Sequence, residues 1–213
     1  MAITGLLLIL FVIVHLLGNL SIFAGAKAFN SYSHFLISTG PGVIIAEIGL
    51  LLIFIIHVIY ATAVYLENRA ARPEKYKKLK SKGDPSKKTL ASVSMIFTGL
   101  TLLVFIVLHV KTFKYGPGIA EGYAVSYSAG HQIRDLHRLV VEVFHKPLYV
   151  IWYVFALVLM GFHFRHGFWS AFQSLGVAHP KYTQIIYSFA FVLAALLAIG
   201  FIFIPVLVYF GGV

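Results

Sequence analysis

The chain has 213 residues, of which 60% are hydrophobic and 11% are charged, and its mean hydropathy is +0.89. A soluble domain carries about 25% charged residues, so this composition excludes an ordinary soluble protein and predicts an integral membrane protein. Cysteine is absent, which excludes disulfides, thiolate metal sites and cysteine-ligated iron–sulfur clusters. The net charge of +10 does not require a nucleic-acid partner, because basic residues of membrane proteins usually set orientation. We expect none.

Five apolar segments are each long enough to cross a bilayer, which takes about 20 helical residues. In chain order they are residues 2–24, 43–66, 90–113, 148–169 and 184–210. Backbone polar groups in lipid must be satisfied within the segment, so each segment is predicted to be a helix. We therefore expect an all-α fold, with residues 1–213 forming a single integral membrane bundle of five transmembrane helices and no internal repeat.

The link after the second segment is strongly basic and reads ENRAARPEKYKKLKSKGDPSKK. It holds nine of the 17 lysines and arginines, and Arg165 and Lys181 fall on the same predicted side. The positive-inside rule then predicts a cytoplasmic (inner) membrane protein with a cytoplasmic amino terminus and an external carboxyl terminus. The link could contact a partner subunit or anionic lipid, or serve topology alone. The external link before residue 147 is expected to hold an interfacial helix around IRDLHRLVVEVF.

Four of the ten histidines lie inside predicted spans, one in each of the first four segments: His15, His57, His109 and His163. Ionisable side chains inside a membrane are functional-site hypotheses by default. A single histidine fits an interhelical hydrogen bond equally well, but one in each of four helices favours a shared role. His166 lies three positions after His163 and is the alternative to it.

The depths of these histidines predict two pairs. At 1.5 Å per residue, His15 and His109 lie roughly 14 and 6 Å from the outer ends of their helices. His57 and His163 lie about 14 and 9 Å from the inner ends. Two pairs at two depths suit two bis-histidine haem b groups, because neutral imidazole is a good axial ligand and a helical bundle can bury the macrocycle. We therefore predict His15 with His109 for an outer haem, and His57 with His163 for an inner one.

Small residues accompany these histidines. Gly18 follows His15 by three positions, and Gly161 and Gly167 flank His163. A glycine permits close approach of a macrocycle or of a neighbouring helix, and the sequence leaves both readings open.

Four stretches carry a resemblance to a known family: ITGLLLILFVIVHLLGNL, NSYSHFL, ENRAARPEKY and GFHFRHGFWSAFQSLG. Together they resemble the cytochrome b membrane subunit of succinate dehydrogenase and fumarate reductase, in its single-chain, five-helix, two-haem form. The resemblance implies one axial histidine in each of the first four helices, paired as the depths predict. It also implies a flavoprotein subunit, an iron–sulfur subunit and a quinone, usually menaquinone. Some members place a carboxylate two positions before the fourth ligand, and Gly161 at that position argues against the corresponding proton route.

In the resembled family, two-haem members often react with menaquinol near the outer haem. Asn30, His34 and Glu47 lie at that depth and are the candidate quinone residues, although Glu47 also suits a structural hydrogen bond. The implied function is electron transfer across the roughly 30 Å hydrocarbon core, with the dicarboxylate chemistry on partner subunits. The alternatives are the cytochrome of another respiratory oxidoreductase, such as nitrate reductase, and a haemless anchor or transporter.

Overall fold

The computed structural model describes residues 1–71, 94–127, 130–177 and 179–212. Within them the chain forms seven α-helices: α1 Ala2–Asn19, α2 Ala26–Ser38, α3 Pro41–Ala70, α4 Met95–His109, α5 Leu136–Phe144, α6 Pro147–Ser174 and α7 Pro180–Tyr209. A 3-10 turn, Leu20–Ala24, prolongs α1, and a π-helical turn, Val110–Lys114, prolongs α4. Strands β1 (Ala124–Ser126) and β2 (Gln132–Arg134) pair antiparallel.

Five of these helices, α1, α3, α4, α6 and α7, are long and apolar enough to cross a membrane when the turns after α1 and α4 are included. This confirms the predicted all-α membrane bundle in the described part of the chain and makes the chain a multi-pass membrane protein. The helices α3 and α6 run further than predicted, to Ala70 and Ser174. Their last turns carry polar residues, which a helix tolerates once it leaves the hydrocarbon.

Two predictions concern residues outside the described ranges. The third span was predicted to begin at residue 90, whereas the described helix begins at Met95. The basic link is described as far as Ala71, so its proposed contact with a partner or with lipid falls on residues that the structure does not describe.

The helices pack around α6. It runs alongside α7 over a long contact and also packs against α1 and α4, while α1 in turn packs against α3 and α7. Gly161 of α6 allows close packing, since a Cβ there would lie 3.2 Å from Cβ of Ala198 on α7. Gly200 of α7 likewise faces Leu16 of α1. Gly161 therefore serves helix packing, which is one of the two roles that the sequence left open for it.

A polar cap covers one end of the bundle, and we use "cap" for α2, the β1–β2 hairpin and α5. Asn30 of α2 is buried and donates from Nδ2 to Oδ1 of Asp135 at 2.8 Å. Its own Oδ1 accepts from the backbone N–H of His137 at 2.9 Å. Asp135 is also the N-cap of α5, since it accepts from the backbone N–H of Arg138. A helix is thus confirmed at the predicted place, as α5, while its position at the membrane interface stays a prediction; α2 and the hairpin were not predicted.

One side of the bundle is open. The helix α3 packs against α1, yet none of its 30 residues is buried. In the described part of the chain, α1 packs extensively against α6, whereas the contact between α3 and α4 is slight. The helix α3 therefore lies at the edge of the bundle, beside α1.

Candidate cofactor site

His15 and His109 meet near the cap, and we call them the cap-side pair. Their ring centroids are 5.8 Å apart and the ring planes are nearly perpendicular, at 89°. Each ring is stacked on a phenylalanine one turn earlier in its own helix, His15 on Phe11 at 5.4 Å and His109 on Phe105 at 5.7 Å. The two imidazoles therefore face each other across the bundle in an apolar setting.

The spacing of the cap-side pair suits one metal ion. An imidazole nitrogen binds a metal at about 2 Å and lies about 1 Å from its ring centre, so rings on opposite sides of one ion have centroids about 6 Å apart. The Nδ1 atom of His109 lies 3.1 Å from the hydroxyl of the buried Tyr153. Asn19, one turn after His15, donates to the backbone carbonyl of His15 at 2.8 Å.

His57 and His163 lie further from the cap, and we call them the far-side pair. Thr4 on α1 places its hydroxyl 3.2 Å from Nδ1 of His57. Thr98 on α4 places its hydroxyl 3.1 Å from Nδ1 of His163. Thr4 and Thr98 each lie eleven positions before the cap-side histidine of their own helix, so His57 and His163 lie at a common level. Each far-side histidine is thus held by a threonine of a neighbouring helix.

The two threonines define the tautomer of the far-side imidazoles. The Thr4 hydroxyl donates its one hydrogen to the carbonyl of Met1 at 2.9 Å, and the Thr98 hydroxyl donates to the carbonyl of Met95 at 3.1 Å. Each hydroxyl can then only accept from the histidine, so the network assigns the proton to Nδ1. The lone pair of Nε2 is left available on both His57 and His163, as axial ligation requires.

Two glycines make room for the far-side rings. A Cβ added to Gly5 would lie 3.4 Å from Cε1 of His57, and one added to Gly99 would lie 3.5 Å from Cε1 of His163. Each glycine directly follows the threonine that bonds the same ring. The dipeptide Thr-Gly therefore supplies both an acceptor and close access to each imidazole.

This arrangement exposes an internal repeat, so the prediction of no repeat was wrong. The α1 sequence TGLLLILFVIVH and the α4 sequence TGLTLLVFIVLH are identical at six of twelve positions. The identities include the threonine and glycine of the far-side site, the stacking phenylalanine and the terminal histidine. The threonine lies eleven positions before the histidine in both helices, and this spacing is the sequence signal that could have found Thr4 and Thr98.

The repeat extends to the second helix of each half. Both α3 and α6 begin with a proline at the first turn, and His57 and His163 each lie 16 positions after it. The two halves run in the same direction, with α1 and α4 rising toward the cap and α3 and α6 returning from it. Ten residues separate Gly5 from His15 and Gly99 from His109, which places the two pairs about 15 Å apart along the helices.

The remaining residues around the histidines have ordinary packing contacts. His163, rather than His166, places its Nδ1 against a hydroxyl, which favours His163 as the site residue. A Cβ at Gly18 would overlap the ring of Tyr32, so that glycine serves the contact between α1 and α2. No heavy atom lies within 4 Å of a Cβ built on Gly167, among the described residues.

The three quinone candidates all lie near the cap but make separate contacts. Asn30 has both of its amide atoms engaged in holding α5. His34 lies against the ring of Tyr127, with centroids 5.1 Å apart. Glu47 forms an ion pair with Lys114, and both side chains are about half exposed. The structure therefore does not bring the three candidates into one site.

An open apolar cavity of about 340 Å³ lies between α1 and α3, lined by Leu7, Leu10, Phe11, Val14, Ala46, Gly49, Leu50 and Ile53. The α1 residues that line the cavity lie between the level of the far-side pair and that of the cap-side pair. They include Phe11, which stacks on His15. The site as a whole therefore offers two imidazoles at each of two levels, with apolar space beside them.

In comparisons with known proteins, no family model, no curated protein and no solved structure matches the chain.

Proposed function

We propose that the chain is the di-haem b membrane anchor of a succinate:quinone oxidoreductase and carries electrons between an iron–sulfur subunit and membrane quinone. One observation carries the proposal: four imidazoles form two pairs at two levels, and the far-side pair has both Nδ1 protons assigned to hydroxyl acceptors. Second-sphere hydrogen bonds of this kind orient metal-ligating histidines. The sequence resemblance supports the identity of the complex.

The residues of the chain have distinct tasks in this proposal. His15 and His109 would hold one haem b, and His57 and His163 the other. Bound haem supplies one-electron oxidation and reduction. The threonine hydroxyls orient the far-side imidazoles, and the phenylalanines exclude water from the cap-side ones.

Quinone chemistry is proposed at the cap side, with menaquinone as the substrate. The carboxylate of Glu47 stands there at the start of α3, half exposed and paired with Lys114. A carboxylate at the membrane interface can accept a proton at Oε1 when a quinol is oxidised. A flavoprotein subunit and an iron–sulfur subunit would bind on the opposite side and perform the dicarboxylate chemistry.

The proposed orientation puts the cap outside and the amino terminus in the cytoplasm. The basic link supports it through the positive-inside rule. A reporter inserted within residues 75–88 is expected to read as cytoplasmic, and one fused at Val213 as external; both positions lie outside the described residues. Identical readings at the two positions would contradict the orientation and the five-span count.

The proposal is tested by purifying the membrane complex under native conditions. We expect a reduced-minus-oxidised visible spectrum of low-spin haem b, two haems per chain by pyridine haemochrome, and co-purification of a flavoprotein and an iron–sulfur protein. Haem with other partner subunits would favour a different respiratory oxidoreductase. A complex without a haem band would reject the proposal in favour of a haemless anchor or transporter.

A further inference from the structure

We propose that Thr4 and Thr98 are positioning residues that lower the redox potential of the far-side haem relative to the same site without them. The inference rests on the proposed function, because it assigns a role to residues around the haem that His57 and His163 would hold. It goes beyond that function, since neither threonine belongs to the ligand set.

The hydrogen-bond network fixes the direction of each contact. Thr4 donates to the carbonyl of Met1 at 2.9 Å and lies 3.2 Å from Nδ1 of His57. Thr98 donates to the carbonyl of Met95 at 3.1 Å and lies 3.1 Å from Nδ1 of His163. An imidazole whose Nε2 binds iron carries its proton on Nδ1, so each hydroxyl oxygen, with its own hydrogen directed at the backbone carbonyl, accepts that proton.

An acceptor on Nδ1–H makes an imidazole a stronger electron donor at Nε2. A stronger axial donor stabilises ferric over ferrous iron, and hydrogen bonding to the ligands is one of the means by which a protein sets haem potential. Both far-side ligands carry the same contact, so the two threonines act in the same direction. Thr98 is almost fully buried, and a polar contact is stronger in such a setting than in water.

The contrast with the cap-side pair limits the effect to one haem. There the described contact to Nδ1 of His109 is a phenol, Tyr153, and the amide of Asn19, which donates to the backbone carbonyl of His15, lies 3.4 Å from both ring nitrogens of His15. The threonines lie about 15 Å along the helices from the cap-side pair. Removal of their hydroxyls should therefore change the far-side potential and leave the cap-side potential in place.

The test is a spectroscopic redox titration of the purified complex, with the two components assigned by their loss in His57→Ala and His15→Ala. Thr4→Val and Thr98→Val keep the side-chain shape and remove the hydroxyl. Thr4→Ser and Thr98→Ser restore the hydroxyl. Thr101→Val is the matched control, because Thr101 also donates to a backbone carbonyl of α4, that of Phe97 at 3.0 Å, and its described hydrogen bond stays within its own helix.

We expect the midpoint potential of the far-side haem to rise in each valine variant, to rise further in the double variant, and to return toward wild type with serine. Loss of the far-side haem in the valine variants, with retention in the serine variants, would show that the hydroxyls hold the haem and would overturn the assigned effect on its potential. Unchanged potentials in valine variants that keep both haems would overturn it, as would loss of haem in the serine variants. A wild-type complex without haem would instead reject the proposed function, and the inference with it.

Discussion

His57 and His163 are each held by a threonine of a neighbouring helix, whereas His15 and His109 face each other edge to face and lean on phenylalanines of their own helices. The far-side rings therefore each contact a threonine hydroxyl, whereas the cap-side rings are stacked on phenylalanines and have a phenol hydroxyl and an amide as their polar neighbours. Two similar twelve-residue segments, one in α1 and one in α4, supply both kinds of support. One repeated helix thus builds two different sites at its two ends.

The surroundings of the two pairs also differ. Above the cap-side pair lies a polar layer that includes the Asn30–Asp135 contact and the Glu47–Lys114 ion pair. The far-side rings are approached by backbone, at Gly5 and Gly99. Proton exchange with the aqueous phase is thus more accessible at the cap, which is why the quinone proposal is placed there.

The largest effect is expected from substituting one of the four histidines that would bind haem iron. His57→Ala or His163→Ala should abolish the far-side haem, and His15→Ala or His109→Ala the cap-side haem, because each pair occupies its own level. Each variant is expected to keep about one haem of the proposed two by pyridine haemochrome. His166→Ala is the control and should keep both haems. Four variants that all retain two low-spin haems would disprove the assignment.

The glycines beside the far-side rings, Gly5 and Gly99, allow the site to be tested with a larger side chain. Gly99→Leu should displace His163, because the ring already lies 3.5 Å from the position of an added Cβ. Overpacking of this kind typically costs about 1–3 kcal/mol, so we expect a partial loss of the far-side haem during purification. Gly42→Leu is the control, since Gly42 lies outside that site and a Cβ there would make only an ordinary contact with Thr39 at 3.7 Å. Equal haem loss in both variants would point to general destabilisation.

The sequence was sufficient to predict the five spans and the helix α5, and to single out the four histidines that the structure places at two levels, because each rests on local composition or on a rare residue type in an apolar segment. It did not reveal α2, whose apolar and polar residues alternate without a long hydrophobic run. Nor did it single out Thr4 and Thr98, since an intramembrane threonine usually bonds its own helix. Only the packing of α1 on α3 and of α4 on α6 shows that these hydroxyls also reach an imidazole.

A smaller effect should separate two roles for Glu47 at the cap side. Glu47→Gln removes the proton-accepting carboxylate, whereas Lys114→Gln removes only its partner in the ion pair. An exposed pair of this kind contributes about 0–1 kcal/mol, so both variants should fold and keep both haems. If the carboxylate handles quinone protons, Glu47→Gln lowers quinone-linked turnover and spares dye-linked succinate oxidation, while Lys114→Gln retains turnover. Full quinone activity in Glu47→Gln would exclude that residue.

The smallest effect concerns the cap itself, where Glu142 accepts hydrogen bonds from Tyr123 and from Arg138, the latter at 2.7 Å. The hydrogen bond from Tyr123, and then that from Arg138, hold the pKa of Glu142 below its ordinary value. The same contact with Glu142 raises the pKa of the Tyr123 hydroxyl. All three groups are exposed to solvent, so their contribution to the stability of the cap is small.

The pH dependence of this contribution has a definite sign. A carboxyl whose folded pKa is lowered stabilises the fold above its unfolded pKa, and the stabilisation disappears as pH falls through the folded pKa. We therefore expect Glu142→Gln to lower the thermal midpoint of the cap slightly at neutral pH, with the difference from wild type vanishing below the ordinary glutamate range of about 4. Glu67→Gln removes the same charge at the far end of α3, and its thermal midpoint of the cap should equal that of wild type at every pH. Haem content should be unaffected in both variants, because the hydrogen bonds among Tyr123, Arg138 and Glu142 contact neither histidine pair. A Glu142→Gln variant that lost the cap-side haem would show instead that the cap and the cap-side pair form one cooperative unit.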